Sequence, residues 1–158
     1  MAKVYRDDDI DLSVLEGKTV SILGYGNQGR SQAQNLRDNG INVVIGNRGD
    51  DYRALASDDG FEASDIPTAT TKGDVVMVLL PDETQASVLP VDVFPHLIPG
   101  ATLVFAHGYS VFYKEIDPPE GHDITLLAPK MIGAAVRELF TAGAGFPSLV
   151  AVDRDSTG

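Results

Sequence analysis

The chain has 158 residues, enough for one domain with a proper apolar core, and 43% of them are hydrophobic, which excludes a disordered chain. It has no cysteine, which excludes disulfides, thiolate metal sites and a cysteine nucleophile. A net charge of −11 sets most of the surface against nucleic acid and anionic lipid.

The first six residues are polar and lack the apolar stretch of a secretory signal. No apolar run nears the roughly 18 residues of a membrane helix, so the cytoplasm is the expected compartment. Asp7-Asp8-Asp9 reads as a solvated charge run, not a metal site. Leu12, Val14 and Leu15 predict a small helix over the domain edge. Residues 18–23 read as the first strand. Directly after it stands Gly24-Tyr25-Gly26-Asn27-Gln28-Gly29, spaced G-x-G-x-x-G, and then a helix over 27–39 capped by Asn39-Gly40.

Strand, glycine turn and helix in that order form the setting of a dinucleotide-binding turn. Gly24 would allow the tight turn out of the strand. Gly26 would clear the backbone for a pyrophosphate, and Gly29 would let the helix pack close to the sheet. A phosphate would then face the free N–H groups at the helix start, where the dipole favours an anion.

Residues 41–45 read as a second, β-branched strand. An NAD-reading fold usually has an acid about 20 residues past the glycines. Asn47 stands there, followed by Arg48, Asp50, Asp51 and Arg53. Arg48 could clamp a 2′-phosphate or stack on adenine. Asp50 and Asp51 would repel that phosphate and could accept from a free ribose hydroxyl. The balance leans slightly to NAD, and compensation by Arg48 and Arg53 leaves NADP open.

Residues 50–59 predict a helix with Leu55 inward, 60–63 a short strand, and 66–71 a short helix at best. The unbroken apolar run 75–80 reads as a central parallel strand buried on both faces, ended by Pro81. Residues 84–94 form a weaker helix interrupted at Pro90. Two strands follow at 101–106 and 124–128. A helix at 131–141 carries Val136, Leu139 and Phe140 on one side, and a last strand lies at 148–152. This alternation predicts an α/β, Rossmann-like doubly wound parallel sheet with helices on both faces.

Ligands of such sheets lie beyond the carboxyl ends of the strands. His107 directly follows the strand at 101–106, where an imidazole can act as acid, base or donor to an oxyanion. Lys130 follows the next strand and could hold a substrate carboxylate or polarise a carbonyl. Asp82 and Glu83 after Pro81 read as helix-capping acids that position Thr84 and Gln85, rather than as a metal pair. His96 and His122 read as exposed loop residues.

Several segments together resemble the N-terminal domain of ketol-acid reductoisomerase (acetohydroxy acid isomeroreductase). They are Gly17-Lys18-Thr19-Val20, the glycine string 24–29, Leu80-Pro81-Asp82-Glu83-Thr84-Gln85 with the apolar strand before it, Phe105-Ala106-His107-Gly108, and Leu127-Ala128-Pro129-Lys130. They keep the family's order and spacing across nearly the whole chain. The resemblance implies a magnesium-assisted alkyl shift in a 2-acetohydroxy acid, followed by hydride reduction from NAD or NADP, in branched-chain amino-acid synthesis. It implies that Tyr25, Gly26, Asn27 and Gln28 belong to a pyrophosphate loop and that Arg48 lies on the adenosine side. It places Asp82, Glu83, Thr84 and Gln85 along the cofactor, His107 in the active site, Lys130 near the substrate and Gly133 near the nicotinamide.

Two departures stand out. Asp50 and Asp51 occupy positions where the family often has serines, and Met131-Ile132-Gly133-Ala134 replaces a common Gly-Pro-Gly-His. The family's magnesium ligands lie on a helical C-terminal domain, so no metal ligand is assigned within residues 1–158. These residues are expected to form one cofactor-binding domain of a larger homo-oligomeric enzyme, active only with the second domain in cis or in trans. The alternatives are a non-catalytic nucleotide-binding or regulatory module, and a standalone reductase of another small carbonyl or imine completed by dimerisation.

Overall fold

The apolar runs of the sequence lie side by side in a computed structural model that describes residues 3–158. Seven strands form one sheet: β1 (Thr19–Leu23), β2 (Asn42–Gly46), β3 (Glu62–Ser64), β4 (Val75–Val78), β5 (Thr102–Phe105), β6 (Asp123–Pro129) and β7 (Ser148–Arg154). Their order is β3-β2-β1-β4-β5-β6-β7. The first six are parallel.

The edge strand β7 departs from the all-parallel expectation and runs antiparallel to β6. The Lys130 amide donates to the Pro147 carbonyl, so the chain re-enters the sheet at the end it has just left. It must then run backwards. Alternation of strand and helix along a sequence carries no information on the direction of such an edge strand.

The period of two is visible in the burial. Val20, Ile22, Val43, Ile45 and Met77 face one side, with Tyr25, Ala33, Ala56 and Phe61. Leu23, Val44, Val76, Val78, Leu103 and Phe105 face the other, with Ile66, Ala69, Leu89 and Val93. The sheet thus separates two cores, as strands buried on both faces require. Helices α1 (Asn27–Asp38), α2 (Asp51–Asp58) and α6 (Gly133–Thr141) lie over the first face, and α1 packs on α6. Over the second lie α3 (Ile66–Thr70), α4 (Asp82–Val88) and the turns that continue it to His96.

Other expectations shift in detail. The expected interruption at Pro90 is present, but the helix starts earlier, at Asp82, and runs on past it: the chain widens into a π-helical turn at Leu89–Val93 and tightens again at Phe94–His96. A short helix α5 (Tyr109–Phe112), which no periodicity announces, follows β5. Helix α6 begins at Gly133 because Ile132 is extended. The leader forms two 3₁₀ turns, Asp7–Asp9 and Leu12–Leu15, and of Leu12, Val14 and Leu15 only Leu15 is half-buried. His122 is buried rather than an exposed loop residue, and its Nδ1 donates to the Ala101 carbonyl at 3.1 Å. His96 is half-buried in its turn.

Candidate functional site

Strand β1 hands its chain to β2 on one side while β4 pairs it on the other, so the order reverses between β1 and β4. That switch point opens a crevice beyond the carboxyl ends of the strands. The crest there is made by the turn after β1, the loop 47–50 after β2, Asp82 after β4, His107 after β5 and Lys130 after β6.

The three glycines of the turn have different physical reasons. Gly24 has φ +98°, and a Cβ there would sit 2.9 Å from the Leu79 carbonyl oxygen. A Cβ on Gly29 would lie 1.9 Å from the Gly24 carbonyl oxygen, so α1 reaches the strand only without it. Gly26 differs: its φ is −79°, and a Cβ would meet nothing within 4 Å. The fold requires glycine at 24 and 29 and not at 26. The first bond of α1 runs from the Arg30 amide to the Gly26 carbonyl, and no side chain caps the helix. Among the described residues the N–H groups of 26–29 therefore have no protein acceptor, and they lie at the positive end of a twelve-residue helix.

Tyr25 does not present its side chain to a ligand. It is buried, its hydroxyl donates to Asp59 Oδ2 at 2.8 Å, and its backbone N–H donates to Asn47 Oδ1 at 3.0 Å. Burial, and then the Asp59 bond, push its pKa well above the usual tyrosine range. Gln28 is likewise engaged: its Nε2 donates to the Met131 carbonyl at 2.9 Å, tying α1 to the chain before α6. Gly133 is required by that same junction, since a Cβ would lie 2.1 Å from the Asn27 carbonyl oxygen. Asn27 is exposed beside the turn. A cleft of about 470 Å³ opens there, lined by Gly26, Asn27, Arg30, Tyr52 and Arg137 among others.

On the β2 side, Asn47 is buried and bridges the two loops. Its Oδ1 holds Tyr25, and its Nδ2 donates to Asp50 Oδ1 at 2.7 Å. Asp50 caps α2 by accepting from the Tyr52 and Arg53 amides, and its Oδ2 accepts from Arg48 Nε at 2.6 Å. The Arg48 guanidinium holds the Asp50 carboxyl below the usual range. Asp51 is exposed in the first turn of α2.

On the β4–β6 side, Asp82 Oδ2 accepts from His107 Nδ1 at 2.5 Å. Gln85 is buried, so its side chain does not lie along the crevice; its Nε2 donates to the Leu80 carbonyl and to Asp82 Oδ1. The Thr84 hydroxyl turns back to the Pro81 carbonyl, and Glu83 is exposed. Lys130 is exposed at the end of β6. Sequence reading made Asp82 and Glu83 capping acids, but the N-cap of α4 is Pro81 and no side chain caps it; the Gln85–Asp82–His107 contacts were missed.

Residues 14–158 match the family described as the NADPH-binding domain of acetohydroxy acid isomeroreductase. The chain belongs to this family. The ketol-acid reductoisomerase (NADP(+)) of Caldivirga maquilingensis is 51% identical over the whole chain, which spans 48% of that protein. An NADH-preferring ketol-acid reductoisomerase from an uncultured archean superposes with a TM-score of 0.96 at 41% identity, over 99% of this chain and 49% of that one. The chain thus spans about half the length of these reductoisomerases. A 3-hydroxyisobutyrate dehydrogenase of Mycobacterium tuberculosis shares the fold alone, with a TM-score of 0.66 at 17% identity over 89% of this chain and 47% of that one.

Among the described residues of this reductoisomerase domain no three His, Asp or Glu side chains gather in a way that could hold a metal ion. Among the described residues no helix is long and apolar enough to cross a membrane.

Proposed function

We propose that this domain binds NAD(P)H across the β1/β4 switch point and serves a ketol-acid reductoisomerase. The carrying observation is Gly26. Among the described residues nothing requires a glycine there, yet the position is bare and begins a run of N–H groups, 26–29, that lack protein acceptors. A pyrophosphate against the turn accounts for both facts. The turn's amides and Gly26 would hold the diphosphate, while Arg48, Asp50 and Asp51 would meet the adenosine end. When bound, the nicotinamide supplies a hydride.

The substrate class is a 2-acetohydroxy acid. His107 exchanges a proton with a substrate oxygen, and Lys130 holds the substrate carboxylate. The described residues do not gather a magnesium site, so the metal ligands would come from a second domain, supplied in cis or in trans. We place the full enzyme in the cytoplasm, as a homo-oligomer serving branched-chain amino-acid synthesis.

The balance between nucleotides leans to NAD. The Arg48 charge is already matched by Asp50, so a 2′-phosphate would compete with a carboxylate for it. The NADH-preferring archaeal relative favours the same reading; the Caldivirga relative, an NADP(+) reductoisomerase, favours NADP. Fluorescence titration of NADH and NADPH tests binding, and failure of both to bind below the millimolar range overturns the proposal. Turnover of 2-acetolactate with Mg²⁺, once the second domain is supplied, separates an enzyme from a regulatory module. The enzyme loses turnover in His107→Ala, whereas a regulatory module has no activity that depends on His107.

A further inference from the structure

Two side chains from the first turn of α4 and one from the loop after β5 form a chain of hydrogen bonds that ends at the crevice. Asp82 Oδ2 lies 2.5 Å from His107 Nδ1, although 25 residues separate them in sequence. An ionised carboxylate only accepts, so Nδ1 carries the proton, and whenever the ring is neutral its lone pair is on Nε2. The other carboxylate oxygen is held in turn: Oδ1 accepts from Gln85 Nε2 at 3.2 Å. Gln85 is only 2% exposed, and the same nitrogen donates to the Leu80 carbonyl at 3.0 Å. Two acceptors demand the NH₂ edge of the amide on that side. The fold keeps it there even though the other edge, Oε1, is left buried without a protein partner. Leaving such an atom unpaired is costly, and a native fold bears the cost where the geometry has a use. The imidazole itself is 68% exposed, so no surrounding core sets its orientation. Tyr109 lies parallel to it with ring centroids 6.3 Å apart, which limits tilt but does not choose a tautomer.

We propose that Asp82, steadied by Gln85, is a positioning residue that fixes His107 in its Nδ1–H tautomer and turns a proton-accepting Nε2 to the substrate. The proposal rests on the reductoisomerase reading for its catalytic purpose. It does not rest on that reading for its geometry.

The test is the ring nitrogens themselves. Two-bond ¹⁵N–¹H correlation spectra of the 158-residue chain at mildly alkaline pH report which nitrogen of His107 bears the proton. Wild type should show a single Nδ1–H form with a deshielded proton. In Asp82→Ala the ring should shift to a mixture in which Nε2 is largely protonated, and the deshielded signal should vanish. Asp82→Asn keeps the side-chain shape and offers both a donor and an acceptor, so it should also give a mixture with backbone amide shifts preserved beyond residues 79–86 and 105–110. A wild-type ring in mixed tautomers overturns the proposal, as does a ring that keeps Nδ1–H alone in Asp82→Asn. Titrating NADH and NADPH into the same wild-type sample makes the two readings fail separately. No binding of either with a single-tautomer ring sinks the cofactor reading and the catalytic purpose, while the hold of Asp82 on the ring stands.

Discussion

The Asp50 carboxylate accepts the Arg48 Nε–H at 2.6 Å while its other oxygen caps α2. One side chain thereby fixes the start of a helix and neutralises the cation that a 2′-phosphate would seek. The two duties can be separated, because asparagine caps a helix about as well as aspartate but carries no charge. Asp50→Asn should leave α2 intact and free Arg48. The ratio of NADPH to NADH affinity should then rise about tenfold, the order expected from removing one like-charge neighbour at an exposed site. Paired fluorescence titrations of the variant and the parent measure it. An unchanged ratio would mean that the adenosine end of the cofactor does not reach this loop.

The glycine turn yields a prediction in which neighbouring substitutions part ways. An added methyl at Gly29 strikes the Gly24 carbonyl, a backbone atom that cannot swing aside. Gly29→Ala should lose about 2–3 kcal/mol, a fall in Tm of roughly 4–12 °C for a domain of this size. Gly26→Ala meets open space at an ordinary φ and should lose less than about 1 kcal/mol. It should nonetheless weaken nucleotide binding by about tenfold or more, since the methyl stands where the diphosphate would approach the backbone. Calorimetry and titration on the two variants decide. A Gly26→Ala protein that binds as the parent does would remove the main support for the proposed site.

Much of this arrangement was legible in the residues. The run 75–80 announced a strand buried on both faces, and the string 24–29 announced a turn between strand and helix, because a period and a steric requirement are local. The antiparallel course of β7 was not legible, since it depends on where the Pro147 carbonyl meets the Lys130 amide. Tyr25 and Gln85 were read as cofactor contacts because they stand in strings that match the family's cofactor-binding segments. The structure turns both inward, Tyr25 to Asp59 and Gln85 to Asp82. The Gln85–Asp82 contact is an i, i+3 pair in the first turn of α4, whose spacing is legible in a sequence although its rotamers are not. The Tyr25–Asp59 contact joins positions 34 residues apart through loop geometry, which no periodicity encodes. The Asp82–His107 contact is of the same nature.

Tyr25, Asp59 and Arg30 form a network whose pH response has a definite sign. Arg30, bonded through two nitrogens, holds the Asp59 carboxyl below its ordinary value. A depressed carboxyl stabilises the fold above its unfolded pKa, and that contribution is lost as pH falls through the lower, folded value. The Tyr25 hydroxyl is shifted up, so its contribution is complete below the ordinary tyrosine value of about 10 and is lost as pH rises beyond it. Tyr25→Phe keeps the ring edge-on to Phe61 and removes only the hydroxyl. It should cost about 1–2 kcal/mol at neutral pH and flatten the alkaline limb of the stability curve. Urea unfolding from pH 7 to 11 checks this, and parallel limbs for parent and variant would refute it.

The two histidines beside the sheet should respond in opposite ways, because burial and not sequence neighbourhood sets the cost of losing a side chain. His122 looked like a loop residue among prolines and glycine. Yet it is 9% exposed, bonded to the Ala101 carbonyl, and its own carbonyl accepts from the Ser156 hydroxyl. Arg154 clamps the same loop through the Pro118 and Pro119 carbonyls. His122→Ala should leave a hole and an unpaired carbonyl, lowering stability by about 1–3 kcal/mol. His107 is largely exposed, and His107→Ala should stay within about 0.5 kcal/mol of the parent. Thermal unfolding of both variants measures the contrast. If His107→Ala proved the less stable of the two, the imidazole at the crest would be holding the fold together, and any loss of turnover in that variant would no longer report on chemistry.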